Sequence, residues 1–476
     1  MSTAPPPSRP RLAEHAIVRR YRAREEDFWV IHDQRSGAAF RIGRREWGIL
    51  AHADGTRDLD GILAAAARTG AVAREGSLKA LIGALDGQGL LANGPAPAPS
   101  APRPRAPGRP LDPLPGFSLA CDGQGSCCRL YASVIFRPLE EARARVLLPL
   151  VLDAGEHPEL AFPPMAGSAP CGASSVGADA GRCAYLEGDG RCGLHKRGGP
   201  EGKPFGCRTF PATFVDDGEA VRVAPAVECA CVLASAVLPT GEGEPLVPAE
   251  ARTSDDLDEA AAIHELPETL AISAERSADR ADLVRWSRLV ASSPPPADAA
   301  RAAWSLAAAI EAEGLDLGAA ERALAADTPI DLARLRPYFV ALERRAAGRA
   351  RVDVSWRSEG DLALRAGRWI RDAAKLLVDP SALASLVALG SDHASSEAFY
   401  LRVAVHGHHL VSGEQPLSHA LRDRAARIVL ARALPFVADE DDEDPALAHP
   451  LALVEAMIRG HGLSAYVHDV DAAREA

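Results

Sequence analysis

Apolar and polar residues alternate with period two around Phe28 and Val30 and again around Phe40 and Ile42, with Asp33 to Gly37 between them, which predicts a short β-hairpin. The period then lengthens. Trp47, Leu50 and Ala51 suit one helix, Leu59, Ile62 and Leu63 a second, and Leu78, Leu81, Ile82 and Leu85 a third, before the terminal Gly89 to Leu91. Residues 257–476 keep helical spacing, at Leu283, Trp286 and Val290, at Trp369, Ala373, Leu376 and Leu377, and at Leu417, Leu421, Ala425 and Ile428. Pro380 and Gly390 punctuate that stretch as helix boundaries do. Two breaks divide the chain. Residues 94–116 hold nine prolines in 23 positions, which predicts an extended, semi-stiff spacer. Residues 238–256 carry Pro, Gly and acidic residues in place of any period, which predicts a second, weaker break. No repeat occurs at solenoid periods.

Composition narrows the class. The hydrophobic class is 47% but aromatics are only 5%, and alanine supplies much of the difference, so the core is expected to come from closely packed helices. The net charge of −12 removes the cationic excess on which non-specific nucleic-acid affinity rests. The N-terminal MSTAPPPSRPRLA has no apolar signal region, and the most apolar later stretch, Val146 to Leu152, is interrupted by Pro149. A cytoplasmic protein with neither nucleic-acid nor membrane partners is expected. The fold class that follows is α+β, mostly helical: an N-terminal winged helix over residues 14–93, the Pro-rich linker, an irregular cysteine-rich domain over residues 117–237, and a helical bundle over residues 257–476.

All nine cysteines lie between Cys121 and Cys231. CDGQGSCCR places Cys121, Cys127 and Cys128 around glycines, CAYLEGDGRCGLHKRGGPEGKPFGCRTFP supplies Cys183, Cys192 and Cys207, and a late CAC supplies Cys229 and Cys231. Glycine turns let a backbone wrap an ion and turn several sulfurs inward, whereas the adjacent Cys127 and Cys128 would form only a strained disulfide. These eight are the candidate metal ligands; Cys171, in the Gly- and Ser-rich CGASSVGADAG, is expected to be an ordinary thiol. Thiolates form more readily beside cations, and residues 183–211 carry five basic and three acidic residues, opposite in sign to the whole chain. Zinc and an iron-sulfur cluster each take about four such sulfurs, and spacing does not choose between them. Gly188, Gly190 and Gly193 satisfy GxGxxG, but without a buried strand before and a helix pattern after they do not make a dinucleotide site.

These motifs resemble the YkgJ-type cysteine-cluster family, described as zinc- or iron-chelating domains. Cys121, Cys127 and Cys128 match its first motif, Cys183 and Cys192 its second, Cys207 with Arg208, Phe210 and Pro211 its third, and Cys229 its trailing cysteine. Gln124 stands where the family has a further cysteine, so either seven sulfurs suffice or Cys231, less readily Cys171, takes its place. The segment FWVIHDQRSGAAFRIGRREWGILAHADGTRDLDGIL, with its ADGT run at Ala53 to Thr56, resembles the PqqD-like winged-helix family. That likeness implies capture of a peptide as an added strand. FYLRVAVHGHHL and AMIRGHG, behind a cysteine domain, bear a fainter similarity to the flagellin lysine-N-methylase family, which implies S-adenosylmethionine and an iron-sulfur cluster.

Two functions are therefore expected. One is a cysteine-cluster metal protein, iron-sulfur or zinc, that recruits a peptide or protein client through residues 14–93. The alternative is an S-adenosylmethionine-dependent protein-lysine N-methyltransferase, although the chain has no GxSxG, HExxH or P-loop, and no catalytic or donor-binding residue is assigned. A DNA-binding role is disfavoured by the acidic balance and the lack of a basic recognition helix. His406, His408 and His409 are too closely spaced to share one helix face, so structural or surface roles are expected. The acidic run Asp439 to Asp444 lacks the glycine-interrupted spacing of a calcium loop and reads as a solvated loop.

Overall fold

The computed structural model describes residues 7–22, 28–33, 39–72, 74–95, 108–121, 123, 125–130, 134–148, 162, 174–175, 178–179, 182–237, 242–257, 261–326, 328–353, 362–389, 393–411, 415–438 and 445–461. Gln124, Cys171, Gly390 and the run Asp439 to Asp444 lie outside them. The fold is α+β, with a C-terminal helical region.

At the N-terminus the strands are β1 (Pro10–Leu12), β2 (Ala16–Arg22), β3 (Phe28–Asp33) and β4 (Ala39–Gly43), followed by α1 (Arg44–Leu50), α2 (Leu59–Arg68), α3 (Glu75–Gly87) and β5 (Leu91–Asn93). The expected hairpin is β3–β4, with Trp29 opposite Ile42 and Ile31 opposite Phe40, and β2 extends it on the β3 side. Trp29 and Trp47 stack with centroids 5.9 Å apart and are fully buried among Ile62, Leu78 and Ile82. The ADGT run makes the α1–α2 turn: Gly55 has φ +80, Thr56 N–H donates to Asp54 Oδ1 at 2.9 Å, and Asp58 caps α2 through the Gly61 amide. β1 pairs with β5 and closes the unit.

Next come β6 (Leu111–Pro113), α4 (Ser126–Leu130), β7 (Ile135–Phe136), α5 (Pro138–Leu147), β8 (Ser174–Ser175), β9 (Ala178–Asp179), β10 (Arg182–Cys183), α6 (Gly193–Gly202), α7 (Phe205–Thr209), β11 (Ala212–Asp216), β12 (Val221–Pro225) and α8 (Ala230–Ser235). β13 (Ile263–Glu265), β14 (Thr269–Ala271) and β15 (Ser277–Asp279) follow. Inside the stretch expected to be a spacer, β6 pairs parallel with β12 and completes the sheet β13-β11-β12-β6. β9 joins the end of β2 in parallel, so the order of the N-terminal sheet is β10-β9-β2-β3-β4. β7 pairs with β8 and β14 with β15.

The helical region comprises α9 (Arg280–Ser292), α10 (Ala299–Glu313), α11 (Leu317–Ala325), α12 (Leu332–Asp353), α13 (Leu362–Val378), α14 (Pro380–Ala388), α15 (Ala394–His406), α16 (Leu417–Ala433) and α17 (Pro450–His461). Each apolar triplet or quartet read from the sequence lies on one of these helices. α16 is buried on all sides, packed by α10, α12, α13, α14 and α17. Its arginines reach acids on its neighbours: Arg422 to Glu311, Arg424 and Arg427 to Glu455 at 2.9 Å, and Arg432 to Glu397 at 2.7 Å. Burial alone would raise the Glu455 carboxyl, but Arg424 and Arg427 overcome it and hold it far below the usual range. No helix among the described residues is long and apolar enough to cross a membrane. Glu455→Ala removes the acid that Arg424 and Arg427 share, leaving Arg424 on the Tyr400 hydroxyl and Arg427 on Asp423, and is expected to cost about 3–5 kcal/mol in chemical denaturation. A loss under about 1 kcal/mol would show the cluster to be solvated.

Of the three clustered histidines His406 and His408 are buried and His409 is half-buried, where the end of α15 docks on the β11–β12 hairpin. His406 Nε2 lies 3.1 Å from the Asp112 carbonyl oxygen, and His409 Nε2 lies 2.9 Å from Thr213 Oγ1. His408, at φ +52, brings Nε2 to 3.6 Å from Asp217 Oδ2, beyond hydrogen-bond reach but within ion-pair range. Burial lowers all three pKa values, to about 4 for His406 and about 3 for His409. A histidine depressed in the folded state is protonated first in the unfolded chain, below the ordinary value of 6.5. This part of the stability is therefore complete above pH 6.5 and declines as pH falls toward 4, by up to about 1.4 kcal/mol per unit for each histidine. Denaturant titrations between pH 7 and 5 are expected to show the decline, and His409→Gln, which keeps a partner for Thr213, to make it shallower. An unchanged slope would assign the acid sensitivity to other groups.

Candidate metal centre

Glycine geometry brings the first two cysteine stretches together. Gly123 and Gly125 have φ near +70, a conformation that side chains resist, and they turn the chain into α4, which starts at Ser126 and carries Cys127 and Cys128. A Cβ on Gly125 would lie 2.9 Å from the Gly190 carbonyl oxygen and 2.7 Å from the Leu186 side chain. Only a residue without Cβ lets α4 seat this closely on the 186–190 loop.

That loop joins Cys183 to Cys192. Leu186 N–H donates to the Cys183 carbonyl oxygen at 2.9 Å, Gly190 turns at φ +78, and Gly193 N–H returns to the Tyr185 carbonyl oxygen at 2.8 Å. This turn uses two of the three glycines in the GxGxxG match. Cys192 then caps α6, which kinks at Gly199. Beneath the loop Phe136, Ala144, Phe162, Tyr185 and Leu194 form a small core, with Cys183 and Cys192 packed against it. Cys207 follows in α7, and Glu140 of α5 fixes that helix: its Oε1 accepts from Phe205 N–H at 2.9 Å and stands 3.6 Å from Arg208. The sequence reading missed Glu140, a single acid in an ordinary helix that carries no spacing signal.

The thiols are near enough to act on one another. Cys127 is pushed well up, first by a hydrogen bond with the Cys128 sulfur, then by burial and by Cys128 and Cys121. Cys183 is pushed up to about 12, mainly by burial, with Cys207, Cys192 and Cys127 adding to it. Cys207 is pushed up to about 12 by burial, opposed by Lys203 and reinforced by Cys127 and Cys192. The three residues are half-buried as a whole. Cys121 is exposed. Cys229 and Cys231 belong to the main helical core with α8, which packs on α15 and α17.

The expected local positive field is largely neutralised. Lys196 pairs with Glu187 and Asp189, Arg197 with Glu187, and Arg208 with Glu201 at 2.7 Å. Lys203 is the basic residue whose charge eases Cys207 toward thiolate. Among the described residues no set of three or more His, Cys, Asp or Glu side chains stands close enough together to hold an ion in place. The donor type fits a soft metal, since thiols are the groups that act on one another here. No family model, no curated protein and no solved structure matches the chain.

Gly125→Ala, strained at φ +68 and driven against Gly190, is expected to free α4 from the loop and speed alkylation of Cys127 and Cys183 several-fold. Gly188→Ala, which meets open space, serves as the control. Equal rates in the two variants, followed by mass spectrometry, would show that the close approach does not hold the thiols together.

Proposed function

We propose that this chain is a cysteine-ligated metal protein. Cys127, Cys183, Cys192 and Cys207 are its central ligands, Cys121 and Cys128 are further candidates beside Cys127, and Cys229 and Cys231, buried in the helical core at α8, are the remaining candidates. The observation that carries this reading is that Gly125 lets α4 pack on the 186–190 loop while Glu140 fixes α7, so that the thiols of Cys127, Cys192 and Cys207 lie near enough to Cys183 to act on it. An ordinary core has no reason to gather them, since small apolar side chains would fill the same space without the polar cost. A cation changes the balance: each thiolate formed on binding exchanges mutual repulsion for attraction to the ion. Four thiolates would hold a tetrahedral zinc or an iron-sulfur cluster, which would cross-link α4, the 183–192 loop and α7, and as a cluster would also pass electrons.

The N-terminal unit supports a second part of the proposal. With β2–β4 against α1–α3 it reads as a winged helix, and a peptide or protein client adds to its sheet edge. Along β2, β9 is registered with Tyr21 and Arg22 only, so the backbone of residues 16–20 has no strand neighbour on that side among the described residues. An edge of this kind supplies the hydrogen bonds that an extended peptide needs.

Anaerobic purification followed by metal and acid-labile sulfide analysis tests the metal assignment. Brown protein with iron and sulfide identifies a cluster, and colourless protein with stoichiometric zinc identifies a zinc site. Replacing Cys127 and Cys128 together by serine is expected to remove at least nine-tenths of the bound metal, and Cys171→Ser to remove little. Metal-free wild-type protein, or equal loss from both variants, overturns the proposal.

A further inference from the structure

The N-terminal unit and the cysteine region share one sheet, whose order β10-β9-β2-β3-β4 places two strands of the cysteine region beside β2. β9 runs parallel to β2, with Ala178 opposite Tyr21 and Asp179 opposite Arg22, and β10 runs antiparallel to β9, with Cys183 opposite Ala178. One rung therefore reads Tyr21, Ala178, Cys183, and at a strand spacing of about 4.8 Å it joins the backbone of β2 to that of Cys183 in about 10 Å. α4, the helix of Cys127 and Cys128, packs on β10. β9 also marks where the open edge of β2 stops. Residues 16–20 have no strand neighbour on that side among the described residues, and from Tyr21 onward β9 occupies it. A stretch of that length is ordinary for a strand. A strand added there lies in line with β9 and ends against Ala178, one strand spacing from β10. Ala16 and Val18 are buried in the same core as Trp29 and Ile31, and directly paired residues share a face of the sheet, so an added strand turns every second side chain toward the margin of that core. The edge thus selects an extended segment with apolar residues at alternate positions.

We propose that the peptide edge and the thiol centre are coupled: Cys183, once held by an ion, fixes β10 and β9, and with them the end of the edge on which an extended peptide of alternating apolar residues adds. The inference rests on the metal and client readings above and adds the link between them. β9 and β10 are two residues each, and a ladder so short is marginal by itself. It is anchored on one side by β2 and on the other by Cys183 with α4. Metal and peptide each order this same short hairpin, so whichever binds second meets less of the ordering cost. Linkage makes the effect reciprocal, the peptide tightening the metal by the factor with which the metal tightens the peptide.

A phage-displayed library of random heptapeptides, selected on the metal-loaded full-length protein, supplies the probe, and selected sequences are expected to alternate apolar and polar residues. Fluorescence anisotropy then compares a selected peptide on the same protein with its metal and after chelator treatment. Removing the metal is expected to weaken peptide binding at least about fivefold, and adding the peptide to strengthen metal retention against the chelator by the same factor. Hydrogen exchange is expected to slow at residues 16–20 with peptide and at residues 21–22 with metal. Ala178→Pro breaks the β9 ladder and leaves every proposed ligand in place. It is expected to keep the metal and to lower peptide affinity to the metal-free value. Protein that holds no metal removes the metal reading and the inference with it, and a library without binders removes the client reading likewise. Metal and peptide that both bind, with affinities independent of each other, overturn the coupling alone, as does wild-type coupling in Ala178→Pro. Protection by the peptide at residues other than 16–20 places the docking elsewhere and overturns it too.

Discussion

A charged side chain inside a helical body is tolerated only where it meets a partner, and this requirement organises the protein around α16. Arg422, Arg424, Arg427 and Arg432 project from one buried helix, and their acids sit on α10, α17 and α15. Apolar contacts between alanine-rich helices are permissive, because small side chains leave many nearly equivalent ways to slide. Ion pairs at 2.5–2.9 Å are not permissive: a shift of one turn strands a buried guanidinium at a cost far above that of a lost methyl contact. The arginines thus fix a register that the alanines leave open.

The hairpin β11–β12 carries that order across to the cysteines. It begins five residues after Cys207 and ends four residues before Cys229, and its base is closed by Ala226 N–H on the Pro211 carbonyl oxygen at 2.7 Å. At the other end Asp217 sits under the hairpin turn and binds Arg222 Nε at 2.6 Å, while Arg222 also reaches Asp112 of β6. The close of α15 rests against this pair, and Gly407 permits it, because a Cβ there would lie 2.6 Å from Ala224. Two thiol stretches are therefore connected through a rigid, doubly clamped element rather than through a loop.

Local rules made much of this legible and long-range ones did not. The β3–β4 pairing, the ADGT turn and the positions of the C-terminal helices follow from period and from turn residues that act within a few positions. The strand β6 was hidden because proline composition describes the chain's own preference, while parallel pairing with β12 is decided 110 residues away. The arginines of α16 carried no signal, since hydrophobic periodicity has no term for a buried cation satisfied by another helix. The histidine trio was read as structural or surface, and burial against Asp217 and Thr213 selects the structural role. Among the cysteines, spacing named the residues, but the approach of α4 to the 186–190 loop depends on Gly125 meeting Gly190, a contact between two glycines that sequence marks only as separate turns.

The grouping of the thiols is better explained by what they cost than by what they contribute without an ion. Burial raises Cys183 and Cys207 to about 12, so at neutral pH they are protonated, weak hydrogen-bond donors, and Cys183 is set on a core of only a few large side chains. A core this small gains little from apolar area alone, and small domains of the kind are commonly held by metals or disulfides. Disulfides demand pairs in one geometry; a metal accepts several sulfurs that approach from flexible glycine turns and tightens them on arrival. Under the metal reading proposed above, the clamped hairpin holds Cys207 and α8 in place, Gly125 seats α4, and an ion would draw the gathered thiols into a closed shell.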